Sequence, residues 1–421
     1  MTTEEPQSPP TSSTRPLLAR LFGGERWASM ALPQFRWLMA GTAFAQIASW
    51  MEEVARGWLI LSFTHSALQL ALFACIRGFS QLLVSPFAGV LIDRLDRRQL
   101  AVLTQVLPGA NSLGIAALIA TGQIELLMLY PLVAISGVAA SINMPVRQVL
   151  VYDVVGPDYI TNAIALNAVV SNGARIMAPI AGGATIALIG IGASYYTQAV
   201  FFGLATLATF TLHPIIHADT VREPYLKSIR GGFRYTRMDP TVARLVLLNM
   251  IPNLLIYPYV ALLPIFAEDI LEVGSTGYGI LLTGVGVGSI PGGLIVAGMH
   301  DSRWKGRMMG IAACTYMAMV TLFAFSNVFL LSFAILCIAG VGWSMMVTLN
   351  QTLLQMNVAD EYRGRVLSLY TMASGATPFG NLGMGATASL FSVQAAVASF
   401  ALTACALAAV LGIGSADVRK L

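Results

Sequence analysis

Twelve apolar stretches are what this chain must first accommodate, because a run of roughly 20 such residues crosses a hydrocarbon core of about 30 Å as a helix. They fall at 35–61, 68–92, 98–120, 127–152, 161–187, 192–213, 242–266, 276–299, 307–325, 328–352, 364–390 and 393–413. Lipid offers no partner to a backbone N–H or C=O, so each segment must be a helix or a strand of a closed barrel. Barrel strands alternate in polarity over about ten residues, and these runs do not. Only 10% of the 421 residues are charged, 56% are hydrophobic and the mean hydropathy is +0.73. Soluble domains carry about 25% charged residues, so a soluble fold of this composition would leave its surface uncovered. The expected fold is an all-α membrane protein with twelve transmembrane helices.

The basic residues predict the orientation. Arg15, Arg20, Arg26 and Arg36 precede the first span, Arg94, Arg97 and Arg98 follow the second, and Arg147 lies near the inner end of the fourth. Arg222, Lys227, Arg230, Arg234, Arg237 and Arg244 occupy the central segment. Arg303, Lys305 and Arg307 follow the eighth span, Arg363 and Arg365 the tenth, and Arg419 and Lys420 the twelfth. Since Arg56, Arg77 and Arg175 sit inside spans, these are 21 of the 24 Lys and Arg. The opposite loops carry the acids Glu125, Glu268, Asp269 and Glu272. The positive-inside rule then places both termini in the cytoplasm, in a cytoplasmic (inner) membrane, with an even number of spans.

The longest interruption, 214–241, is basic and holds Pro224, Gly231, Gly232 and Pro240. It divides a six-helix half (35–213) from a second (242–413), with a disordered tail at 1–34 and a short one at 414–421. The halves resemble each other: residues 147–174 align without gaps to 350–377, pairing Gln148 with Gln351, Tyr159 with Tyr362 and Leu166 with Leu369. A two-half repeat places a substrate site between the halves near the bilayer midplane. Chance similarity of apolar composition is the competing explanation.

Cys75, Cys314, Cys337 and Cys405 lie within spans without metal-ligand spacing and read as small core residues. His65, His213, His217 and His300 are scattered at membrane edges, so no metal site and no catalytic constellation is expected. No cofactor is implied, and the absence of a G-x-x-x-x-G-K-S/T loop disfavours pumping by ATP. The net charge of +4 is explained by cytoplasmic loops facing anionic lipid, and no nucleic acid needs to be invoked.

The string GVLIDRLDRRQL at 89–100 resembles the signature loop between helices two and three of the major facilitator superfamily. Gly89, Leu91, Asp93, Arg94, Arg97, Arg98 and Leu100 match, while Asp96 replaces a glycine. Physically the loop reads as a gate latch. Gly89 admits a neighbouring helix, Asp93 caps the N-terminus of another helix, and the arginines pair with acids such as Asp153 when the inner side closes. The loop after span eight, MHDSRWKGR, keeps Asp301, Lys305 and Arg307 only. With WMEEVARGWLI at 50–60, MPVRQVLV at 144–151 and NAIALNAVVSNGARIMAPIAGG at 162–183, the chain is similar to the branch that includes enterobactin exporters and macrolide efflux proteins. In span five Ala174, Ala178, Pro179, Gly182 and Gly183 follow that branch's antiporter pattern with both leading glycines replaced by alanine. Small residues there allow close helix packing and Pro179 a bend. The resemblance implies export rather than import.

Charges inside spans are costly and usually functional. Glu52, Glu53 and Arg56 lie in span one, Arg77 in span two and Arg175 in span five. Thr42, Gln46, Ser49, Glu53 and Arg56 fall within about 80° on a helical wheel, whereas Glu52 is about 100° from Glu53 and nearer an alanine face. Glu53 is therefore the expected cavity-facing acid, at a depth similar to Arg77. A carboxylate whose hydration alternates between these arginines and an apolar surround would couple proton entry to cargo exit. The same residues read equally well as a static ion pair joining spans one and two. The second half lacks deep charge, and its candidate cavity residues are Asn253, Tyr257, Asn350 and Asn381, beside Gln46 and Ser49 of the first. Ordinary polar packing between helices explains them about as well.

The expectation is a monomeric secondary transporter working by alternating access, a proton-coupled exporter of an amphipathic small molecule such as a drug or siderophore. A small-solute importer would want charges in both halves, and a membrane sensor an additional soluble domain.

Overall fold

In the computed structural model of the protein, residues 25–213, 233–299 and 304–413 are described. All twelve expected spans lie among them: α1 (Pro33–Phe63), α2 (Ala67–Arg94), α3 (Arg97–Ala120), α4 (126–155), α5 (157–189), α6 (Ile191–Phe210), α7 (Pro240–Ile270), α8 (Gly274–Ala297), α9 (Lys305–Ala324), α10 (Phe329–Asn357), α11 (Asp360–Ser374 and Thr377–Leu390) and α12 (Val393–Ala408). The chain is a multi-pass, all-α membrane protein of two six-helix halves. Two of the helices, α1 and α6, are less apolar along their length than the longer spans, and α11 is divided into two short segments. Glu52, Glu53 and Arg56 dilute α1, and Tyr195, Tyr196 and Gln198 dilute α6.

Local chemistry sets the boundaries. Helix starts leave N–H groups without intrahelical partners, and side chains accept from them: Ser66 from Gln69 N, Asp96 from Arg98 N, Asp239 from Thr241 N and Ser392 from Ala395 N. Gly156, at φ 69°, turns the chain between α4 and α5, and Pro157 starts the next helix there. The aligned position in the second half, Ala359, is the residue immediately before α11.

Spans seven and eleven are not continuous α-helices. In α7 the run carries Pro252, Pro258 and Pro264, each without a backbone donor, and wider π turns at Pro252–Ile256 and Phe266–Ile270 absorb the loss. Span eleven is broken at Gly375–Ala376, and its second segment begins Thr377–Pro378. The tail expected at 1–34 is ordered from residue 25. Glu25–Ala31 forms a 3-10 turn, and buried Ser29 donates its N–H and Oγ–H to Asn162 Oδ1. Residues 1–24, 414–421 and 214–232 of the linker lie outside the described residues, as do Arg303, Asp301, His217 and His300; 233–238 is helical.

Two seams join the halves. Along one, Gly183 meets Ser275 O, Gly279 meets Pro179 O and Gly286 faces Ile176 and Arg175 (α5 against α8). Along the other, Gly385 meets Ala71, Gly78 meets Pro378, and Phe79 packs edge-on against Phe379 at 5.1 Å (α2 against α11). The second seam stops where Leu82 touches Gly375, and beyond it Leu83, Phe87 and Val90 are exposed and Gly89 faces open space. Both seams are closed at the end carrying Glu125, Asp269 and Glu272 (the acid end) and part toward the end carrying Arg94, Lys305 and Arg365 (the arginine end). The larger apolar cluster spans both halves, whereas the smaller one, around Phe35, Ile92, Val146 and Ala163, belongs to the first half alone.

Candidate functional site

Between the halves lies a cavity of about 490 Å³. One face of α1 forms its spine: Thr42, Gln46, Ser49, Trp50 and Glu53 recur at helical spacing and line it. Gln46 Nε2 donates to Ser171 Oγ at 3.3 Å, tying α1 to α5. From the second half come Tyr257 and Val260. The polar side of the cavity is thus built almost wholly from the first half.

Four intramembrane charges meet at its deeper part. Glu53 Oε2 accepts from Arg77 Nη1 of α2 at 3.1 Å and pairs with Arg56 Nη2 one turn along α1. Arg56 Nη1 stands 3.6 Å from Glu52 Oε1. The depth match between Glu53 and Arg77 is therefore a direct pair. Both glutamates line the cavity, but the side chain of Glu53 is 22% exposed and that of Glu52 only 10%. Glu52 also faces a small hollow shared with Arg56 and Tyr195. Arg175 of α5 lies with its guanidinium 5.6 Å from the centre of the Trp50 ring. Trp50, Arg175, Tyr257, Tyr259, Tyr316 and Trp343 enclose an aromatic hollow that adjoins the cavity, Trp50, Tyr257 and Val260 lining both.

Arg147 is where the sequence reading needs correction. Counted above as a basic residue of the inner membrane edge, it is 8% exposed and lines the cavity. It donates to Thr42 Oγ1 at 2.6 Å, Gly41 O at 3.1 Å and Asn143 Oδ1 at 3.0 Å. Asn143 in turn donates to Thr104 Oγ1 at 2.8 Å, fixing its amide. The available signal was position: Arg147 falls inside the fourth apolar run, five residues before its end.

At the arginine end, Arg97 donates through Nη1 to both carboxylate oxygens of Asp153 at 3.0 and 2.9 Å, both side chains being 9% exposed. This pair lies within the first half and is intact while the halves stand apart, so it is not a contact that opening breaks. Arg98 donates to Phe210 O and covers its ring. Asp96, standing where the signature has glycine, has φ −59° and caps α3, so no left-handed residue is needed. Asp93 is half-buried and Arg94 exposed; Gly89 makes no close approach in this conformation.

The amide residues of the second half are not brought to the cavity. Asn253 bonds back to Asn249 O at 2.8 Å, buried Asn350 to Leu245 O at 3.0 Å, and Asn381 is packed at 5% exposure. Of that group Tyr257 alone reaches the lining. The small residues of α5 do pack: Gly182 on Met51 and Val54 of α1, Gly183 and Pro179 on α8.

A family profile described as transmembrane secretion effector matches residues 24–418. The chain is 24% identical over 361 residues to a staphyloferrin A transporter of Staphylococcus aureus, covering 82% of this chain and 87% of that one. It is 25% identical over 371 residues to the enterobactin exporter EntS of Shigella boydii, covering 83% and 85%. Among solved structures it is similar to the nucleoside transporter NupG, with a TM-score of 0.73, 13% identity and 90% of this chain and 98% of that one covered. A bacterial homologue of ferroportin in an inward-facing state gives a TM-score of 0.66 at 19% identity, covering 90% and 98%.

Proposed function

Because this chain belongs to the transmembrane secretion effector family, we propose that it exports an amphipathic small molecule by alternating access, driven by protons. It is a transporter of the major facilitator type and not an enzyme. The finer reading is a drug or siderophore-like cargo, loaded from the arginine end. That end is the cytoplasmic one by the positive-inside rule.

The observation that carries the proton coupling is the junction of Glu53 with Arg56 and Arg77 on the cavity wall. Glu53 is the more accessible of the two acids, and it links α1 to α2, the helix that also forms the α2–α11 seam. Protonating Glu53 releases Arg77, and closing the cavity changes the water available to both. A carboxylate so placed favours its charged form beside the arginines and its neutral form when they are drawn away or dried out. The similarity to a staphyloferrin A transporter and an enterobactin exporter supports a siderophore-like cargo, and Tyr257, Tyr259, Tyr316 and Trp343 of the second half suit its apolar parts.

The test is transport by purified protein reconstituted in vesicles, across labelled drugs and siderophores, with and without an imposed pH gradient. Flux that ignores the gradient overturns proton coupling.

A further inference from the structure

We propose, building on the exporter reading, that the cargo is an elongated organic dianion, its two negative groups bound at Arg147 and Arg175. The charge balance of the cavity is the starting point. Glu52 and Glu53 are matched by Arg56 and Arg77, all four joined in one network. Arg147 and Arg175 are left over. Among the described residues neither has a carboxylate within ion-pair distance. Arg147 is held by the neutral acceptors Thr42 Oγ1, Gly41 O and Asn143 Oδ1, which use three of its five N–H donors. Arg175 rests on Trp50, and its Nε–H is buried without an acceptor. A cation in an apolar surround without a counter-charge is unfavourable, and Arg147 in the cavity with Arg175 in the hollow beside it forms a pair of positive sites that an anion with two charged ends completes.

The spacing sets the shape of that anion. Arg147 is anchored at Thr42 and Arg175 at Trp50, and these residues lie eight apart on α1. At 1.5 Å per residue the anchors are about 12 Å apart along the helix. The hollow beside Arg175 holds about 30 Å³, room for little more than one small group, so a ligand puts its charged head there and its body in the 490 Å³ cavity. Tyr257 and Trp50 line both spaces and stand between the two proposed anion positions. Cationic amphiphiles, in contrast, meet a net excess of two positive charges.

The experiment is equilibrium dialysis of the detergent-solubilised full chain against labelled biphenyl-4,4′-dicarboxylate, compared with its neutral diamide and the corresponding diamidine. Saturable binding of the diacid, at least about tenfold tighter than the diamide, is expected. Arg175→Gln is expected to weaken the diacid about tenfold and leave the diamide unchanged, while Arg175→Lys retains most of the affinity. Arg147→Gln has the same expected effect, and Arg147→Lys serves if the glutamine variant does not fold. Diamide or diamidine binding equal to the diacid, no saturable diacid binding, or undiminished binding in Arg175→Gln overturns the proposal. Gradient-driven export of a neutral compound together with any of these leaves the exporter reading in place.

Discussion

Arg147 and Asn350 stand at the same position of the two-half repeat and perform the same bridging. Arg147 Nη2 donates to Gly41 O of α1 at 3.1 Å, and Asn350 Nδ2 to Leu245 O of α7 at 3.0 Å. In each half the fourth helix is thereby pinned to the backbone of the first. The difference is that the first half does this with a cation that reaches the cavity, and the second with a buried amide. The asymmetry of charge between the halves is thus written into an otherwise equivalent joint.

Glu53→Gln is expected to abolish acceleration of transport by a pH gradient while leaving exchange of labelled cargo across the same vesicles. Arg77 then loses its carboxylate and Arg56 keeps Glu52. A loss of folded protein in place of a loss of coupling would assign Glu53 to a structural pair; size-exclusion profiles separate the outcomes.

Arg97→Ala should destabilise the protein by about 3–5 kcal/mol, because it removes the cation from which both carboxylate oxygens of half-buried Asp153 accept. The paired replacement Arg97→Met with Asp153→Met should recover most of that loss. Denaturation of the four proteins in a double-mutant cycle measures it. Additive losses would show that the two side chains do not interact.

Gly183→Ala brings a methyl group onto Ser275 O, closer than side chains approach backbone. Overpacking of this kind costs about 1–3 kcal/mol. The expected result is a lower melting temperature and greater accessibility of cysteines introduced along the acid end of the α5–α8 seam. An unchanged melt would mean that α8 yields freely.

Gly89→Val meets open space here, so the melting temperature should stay within the range of a neutral surface change, about 0.5 kcal/mol. Closing the arginine end brings a second helix against this position if the latch reading holds. An overpacking penalty of about 1–3 kcal/mol in the closed form alone lowers its population roughly 5- to 150-fold. Transport should fall accordingly. Wild-type turnover in the variant would remove Gly89 from the gate.

Orientation is measured by cysteine labelling. His65→Cys lies in the exposed loop at the acid end and should react with a membrane-impermeant maleimide on intact cells. Tyr159→Cys, exposed at the arginine end, should react only after permeabilisation. The reverse pattern would invert the topology and with it the direction of transport.

Much of the fold was legible because lipid leaves the backbone so few options. The apolar runs mark α1 to α12 within a few residues, and the aligned stretches 147–174 and 350–377 place the turns at Gly156 and Ala359 in register. What eluded the sequence was the consequence of three-dimensional closure. The break at Gly375–Ala376 lies inside a stretch, 364–390, that reads as one span from its length. Asn253, Asn350 and Asn381 have the chemistry of cavity residues, but nearby carbonyls and tight packing claim them first. Arg147 looks like a membrane-edge cation by position, and only the approach of Thr42, 105 residues away in the chain, draws it inward. The loop motif points to the Arg97–Asp153 pair, but as a contact that opening breaks; that it joins α3 to α4 within one half follows only from how those helices pack.

The distribution of polar contacts carries a consequence for biosynthesis. Arg97 with Asp153, Arg147 with Thr42 and Gln105 with Thr209 each close within the first 213 residues. Asn350 with Leu245 and Asn249 with Tyr370 close within the second half. The links described between them, His65 to Asp269 and Ser275 to Gly183 O, are two contacts at one end. The first half therefore holds its own polar partners while the ribosome is still making the second, which then docks through glycine-lined apolar surfaces. Two polypeptides divided within 214–232 and made in the same cell should find one another and reassemble into a working transporter.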